Sequence, residues 1–234
     1  INTMTSASNY LSIGLGHLRR NPLVEQAAWL SAMVQEAGLT TDPRLVAASE
    51  EGVDEATGLV DATLTCWPRS NGWMLPDPQL GRPNSDVLRS AAFQQFQIGS
   101  NDVDESVYYF VDSDDTGQLL TAADGREYEV SFSGPTIPRH HEQGYWSLTM
   151  YDEHSHLVDN PIDRYATRPT RPGTHVDSDG GVTYVLSAHR PVGVTEANWL
   201  PAPAGRLRLG LRLYYPDVDS VGQGWAPPPV VCRH

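Results

Sequence analysis

The sequence predicts an α+β protein: an antiparallel β-sandwich with a jelly-roll-like core and a helical N-terminal segment packed on it. Three observations lead there. Apolar residues up to position 65 recur at helical spacing. From Trp67 onward, about six runs alternate apolar and polar residues, broken by turn-forming residues at intervals of about 8–15. In the clearest run, residues 206–216, Leu207, Leu209, Leu211 and Leu213 share one face, and Arg206, Arg208 and Arg212 share the other. The expected division is a helical segment over 1–66 and a β domain over 67–234.

The elements follow in order. Residues 8–20 place Tyr10, Leu11, Ile13, Leu15 and Leu18 near helical spacing, and Asn21-Pro22 interrupts them. A stronger amphipathic pattern follows, with Leu23, Ala27, Leu30, Met33 and Val34 on one stripe and Gly38 at its end. A third helix begins at Asp42 as N-cap, with Pro43 in the first turn. The stretch after Trp67, WPRSNGWMLPDPQLGRP, reads as an irregular connection, and a further helix starts near Asn84 or Ser85. Strands are expected over 107–111 and through Tyr128, Val130 and Phe132. A hairpin is expected with its first strand at 145–151 and its turn at 152–155, and two more strands in GVTYVLSAH and RLRLGLRLYYP.

Composition narrows the function. The chain has 234 residues, enough to bury about 70% of the surface its unfolded form exposes. No run of 18 apolar residues is present and no secretory leader is visible, so a soluble protein, cytoplasmic or exported, is expected, without a membrane span. The formal charge is −13, and all 16 basic residues are arginine. Lysine Schiff-base and lysine general-base mechanisms are thereby excluded. An acidic surface without clustered positive charge is a poor partner for nucleic acid or anionic lipid. Cys66 and Cys232 lie in no metal-binding or redox spacing; two separate thiols are expected, a disulfide between them being the alternative.

Several motifs occur in a distinctive order: Tyr145-Trp146-Ser147-Leu148-Thr149, Tyr151-Asp152, Asn160-Pro161-Ile162-Asp163-Arg164-Tyr165, Glu196-Ala197-Asn198-Trp199-Leu200-Pro201-Ala202-Pro203, a Leu-Arg strand, and Trp225-Ala226-Pro227-Pro228-Pro229. Together they resemble the domain-of-unknown-function family 1214, commonly found behind the domain numbered 1254. The resemblance runs over residues 71–231; no separate upstream domain of the second kind is expected within this chain. It implies an antiparallel β-sandwich with flanking helices and supplies no agreed reaction. Members are often described as envelope or exported proteins.

The same motifs hold the candidate site. Arg164 is suited to binding a carboxylate or polarising a carbonyl, with Tyr165 as proton donor. Glu196 and Asp152 are the candidate general acid or base, and Asp152 is also expected to pair with Arg164. Trp73, Trp146, Tyr151, Asn160, Asn198 and Trp199 are the candidate substrate-binding residues, the rings by stacking and the amides by orienting the ligand. Each has a competing structural reading: Trp146 and Trp199 as core, the asparagines and Asp152 as turn formers. His140, His141, Glu142, His154 and His156 cluster in sequence, and His154-x-His156 would face one side of a strand. They depart from the family pattern, which has an Asp-Gly-type turn and an aromatic there, and no further ligand appears at clear spacing, so no metal is assigned. Asp112, Asp114 and Asp115 read as a solvated turn, lacking the rest of a calcium loop.

Three functions fit these residues. The first is a cofactor-independent enzyme acting on a hydroxylated or carbonyl-bearing small molecule by hydrolysis, cyclisation or elimination. The second is a non-catalytic glycan- or lipid-binding module, and the third is a structural subunit of an envelope or biosynthetic complex. The expected partner is a small molecule, with a homo-oligomer left open. An enzyme should bury an ionisable group with a displaced pKa beside the tryptophans, whereas a binder should expose a row of rings. On the enzyme reading, Arg164→Ala should abolish ligand binding with the thermal midpoint nearly unchanged.

Overall fold

A computed structural model describes residues 43–77, 86–94, 101–222 and 224–233. The two helices expected over 8–38, the cap at Asp42 and the caps at Asn84 and Ser85 lie outside the described residues. The chain divides into two units at Thr65/Cys66, each described by itself.

In the first unit, α1 spans Pro43–Thr65. Proline in its opening position has no N–H to lose, because the first turn's donors have no intrahelical acceptor. Thr57, Thr63 and Thr65 return their hydroxyls to the carbonyls four residues back, at 2.8–2.9 Å.

The second unit is mixed α+β, with few helices and mostly antiparallel strands. Its elements are β1 (Arg69–Ser70), β2 (Trp73–Met74), α2 (Val87–Gln94), β3 (Ser106–Val111), β4 (Glu127–Phe132), β5 (His140–Asp152), β6 (Ala166–Thr167), β7 (Val182–Ser187), β8 (Trp199–Pro201), β9 (Leu207–Pro216), α3 (Val218–Gly222) and β10 (Val231–Arg233). Six strands form one sheet in the order β1-β2-β3-β9-β5-β6, and four form a second in the order β10-β4-β7-β8. Neither sheet closes on itself. One pair, β7 with β8, is parallel, a departure from the all-antiparallel expectation.

The alternation expected of the sequence is realised. Leu207, Leu209, Leu211 and Leu213 are all buried, as are Tyr128, Val130 and Phe132. They share one core with residues of both sheets, and Phe132 of β4 meets Trp146 of β5 with ring centroids 4.5 Å apart. β5 is longer than expected: it starts at His140, and its register against β9 shifts between His140 and Tyr145. Gly144 sits in that irregularity, where a Cβ would come within 2.4 Å of the Tyr214 carbonyl.

Three other readings are corrected. The Trp67–Pro76 region is ordered around an Asn71-Gly72 hairpin. Both residues have positive φ, 51° and 83°, the conformation that a tight two-residue β-turn requires. The start of α2 is capped by Asp86, whose Oδ1 accepts from the amides of Leu88 (2.9 Å) and Arg89 (3.1 Å). Asp114 is buried rather than solvated: its Oδ1 accepts from the Thr116 amide and hydroxyl and from the Gln118 amide, at 2.7–3.0 Å. Burial alone would raise its pKa. The Thr116 hydroxyl, the Gln118 and Thr116 amides and the charge of Arg126 outweigh that and hold it below the ordinary value. Cys66 and Cys232 are free thiols.

Candidate functional site

The motif residues come together, but as a fastening between loops. Arg164 is only 5% exposed. Its Nη1 donates to the carbonyls of Glu196 and, at 3.0 Å, of Trp199, and its Nη2 pairs with Glu196 Oε1 at 3.2 Å. Its Nε is buried without a partner among the described residues. Burial, followed by the nearby charge of Arg171, lowers the Arg164 pKa from its ordinary value, while Glu196 acts the other way. The guanidinium thus ties the loop before β6 to the turn that opens β8.

Both asparagines are fully engaged in the same fastening. Asn160 Oδ1 accepts from the Arg164 amide (2.8 Å), and its Nδ2 donates to the carbonyls of Val158 and Arg164 at 3.0 Å. Asn198 Oδ1 accepts from the His175 amide and the Thr195 hydroxyl, each at 2.7 Å. Its Nδ2 donates to the carbonyls of His175 (3.1 Å) and Thr183 (2.9 Å). With donors and acceptors occupied, neither amide is free to orient a ligand.

The tryptophans are core. Trp73 is fully buried and donates Nε1 to the Pro228 carbonyl (2.8 Å), while Asn71 reaches the Pro227 carbonyl (2.9 Å). The Trp-Ala-Pro-Pro-Pro segment therefore offers carbonyl acceptors from residues that bring no amide donor of their own. Trp146 is buried between Phe132 and Tyr184, and Trp199 donates Nε1 to Ser187 (3.1 Å).

Asp152 does not reach Arg164. Its Oδ1 accepts from the amides of His154 (2.9 Å) and His156 (2.8 Å) and so closes the turn after β5. Burial alone would raise its pKa, but those amides, His156 first, hold it low. His154 and His156 are exposed on that turn, not on a strand, with ring centroids 6.2 Å apart. Among the described residues, no three His, Cys, Asp or Glu side chains are grouped to hold a metal ion. Tyr165 is half-buried, and its carbonyl accepts from the Met150 amide (2.9 Å). Tyr151 lies on the opposite face of β5 from Trp146 and receives a hydrogen bond from Arg212, which also donates to Thr149 (3.2 Å). Burial raises the Tyr151 pKa, and Arg212 offsets part of that. On the same face, Tyr145 stacks on Tyr214 at 4.6 Å.

A cleft of about 380 Å³ lies beside this fastening, at the β5–β6 edge. Ser147, Ala166, Thr167, Arg168, Arg171 and Pro172 line it. Arg168 is exposed and Arg171 half-buried, and neither has a carboxylate partner among the described residues. The loop that carries them is a pair of successive turns, in which the Arg171 amide donates to the Arg168 carbonyl and the Thr174 amide to that of Arg171, each at 3.1 Å. At the floor, Thr167 is buried and donates to the Ala197 carbonyl (3.3 Å). Sequence reasoning did not single out Arg168, Arg171 or Ser147. The available signal was Arg-Pro-Thr-Arg-Pro, two arginines separated by a proline turn in a chain short of cations.

Residues 105–218 match the family described as a protein of unknown function, DUF1214. This is a shorter span than the sequence resemblance, and it contains the whole Arg164 fastening and the cleft. No curated protein matches the chain. Among solved structures, it is similar to the VPA0106 protein from Vibrio parahaemolyticus, with a TM-score of 0.56 and 20% identity over 86% of this chain and 49% of that one. An uncharacterized protein from Burkholderia cenocepacia gives a TM-score of 0.44 and 18% identity, over 81% and 41%. The chain thus spans about half the length of the first of these structures. The likeness to the first supports the fold and nothing more specific.

Proposed function

We propose that the β domain is a binding module for a small carboxylate-bearing molecule, held in the Arg168–Arg171 cleft. The carrying observation is a pair of arginines that have no carboxylate partner among the described residues, in a chain of net charge −13. Among 29 acidic residues, an unpaired guanidinium is easily neutralised, so two such groups on one cleft wall suit an external anion. The charge of Arg171 already bears on Arg164, and an anion between the loop's guanidinium groups would relieve that repulsion. The cleft volume lies in the range of small-molecule sites, roughly 300–1,000 Å³. Ser147 adds a polar residue to the wall, whereas the Thr167 hydroxyl is already donated to the Ala197 carbonyl.

This reading favours binding over catalysis. None of Tyr165, Glu196 and Asp152 lines the cleft, and Asp152 and Glu196 carry structural hydrogen bonds. In the same reading, the two sheets are the layers of a sandwich; their shared core supports it, with the cleft at the edge of one layer.

A thermal-shift panel tests the proposal. Citrate and succinate should raise the melting temperature, glucose should not, and Arg171→Ala should remove the response while the unliganded midpoint stays within about 2 °C, as surface substitutions usually do. An undiminished response in Arg171→Ala would overturn it.

A further inference from the structure

A second cavity lies elsewhere in the β domain and does not depend on the anion cleft. Its volume is about 200 Å³, and its walls include Leu75, Val103, Tyr109, Val218, Val221 and Trp225. None of these side chains is charged. Tyr109 is on β3, fully buried, with its ring edge-on to Trp225 at 5.3 Å. Its hydroxyl has no hydrogen-bond partner among the described residues. Trp225 offers no free donor, because its Nε1 already donates to the Pro135 carbonyl (3.0 Å).

A fully buried phenol with an unsatisfied hydroxyl is unfavourable in itself, since phenylalanine would fill the same space without losing a water hydrogen bond. Its presence in the wall of an apolar cavity therefore calls for an acceptor that arrives with a ligand. Burial also pushes the Tyr109 pKa up, so the group stays a neutral donor.

We propose that this cavity binds a neutral, mostly apolar molecule, a substituted benzene ring in size, whose one acceptor oxygen receives the hydrogen bond of Tyr109. The size follows from comparison with an apolar cavity of about 150 Å³, which accommodates benzene. An anionic ligand is disfavoured, because no cationic side chain is among these wall residues.

The test compares acetophenone with ethylbenzene, which has nearly the same shape but no acceptor oxygen. Binding is followed by calorimetry and by the indole resonance of Trp225. The wild-type protein should bind acetophenone about tenfold more tightly, the worth of one neutral hydrogen bond. Tyr109→Phe should bind both ligands alike and melt no lower than the wild type. Equal affinities in the wild type would overturn the proposal, as would no binding of either ligand or an unperturbed Trp225 resonance. A Tyr109→Phe protein that melts clearly lower would also overturn it, showing that the hydroxyl is already satisfied by water. Because the anion cleft is not involved, these results leave the citrate and succinate experiment unaffected.

Discussion

Replacing Arg164 with alanine should destabilise the β domain substantially. The guanidinium supplies charged donors to two backbone carbonyls, those of Glu196 and Trp199, from a side chain that is 5% exposed. Hydrogen bonds to charged groups contribute about 1.5–3 kcal/mol each. The ion pair adds little, because the Glu196 side chain is 58% exposed, and such pairs contribute about 0–1 kcal/mol. Against this, the substitution removes a desolvated charge and its unpartnered Nε, which returns about 1–2 kcal/mol. The net loss is about 3 kcal/mol, or a fall in melting temperature of about 6–12 °C for a domain of this size. Glu196→Gln keeps both backbone acceptors and should lower the midpoint by less than about 3 °C. Thermal denaturation of the two variants by circular dichroism is the assay. An Arg164→Ala midpoint within about 2 °C of the wild type would refute the fastening role and restore the sequence expectation of a ligand-binding arginine.

Further outcomes follow from individual contacts. Asp114 has a folded-state pKa below its ordinary value, so its contribution is complete above about pH 4 and disappears as pH falls through the depressed value. Asp114→Asn should therefore melt lower than the wild type at pH 7, with the gap closing as pH falls from about 4 towards 2; a gap constant with pH would contradict this. Gly210→Ala should cost about 1–3 kcal/mol, because its Cβ would lie 3.1 Å from the Tyr151 ring and 3.2 Å from Phe110, to be measured by urea denaturation. Trp73→Phe should cost about 2–4 kcal/mol by the same measurement, since it leaves a void and strands the Pro228 carbonyl.

The long strands were legible because burial on one face imposes period two over six or more residues, as in β4 and β9. β1, β2, β6, β8 and β10 were not, since two or three residues cannot display a period. The Asn71-Gly72 turn was legible in principle, but the surrounding prolines and tryptophans drew the reading towards an irregular loop. The motif residues stood out in the sequence by type and order, yet residue type alone does not separate a buried arginine that fastens loops from one that binds ligand. That distinction depends on which carbonyls surround the guanidinium, and those of Glu196 and Trp199 are more than thirty residues away in sequence. Conversely, nothing in the sequence marked Arg168 and Arg171, because the lack of a carboxylate partner among the described residues is a property of the folded surface.

The most direct test of the anion cleft is isothermal titration calorimetry with citrate, on the wild type and on an Arg168→Ala/Arg171→Ala double variant, at low and high salt. The account predicts saturable binding to the wild type that weakens as salt rises, and no detectable heat of binding to a folded double variant. Citrate binding of equal affinity to both proteins would contradict it.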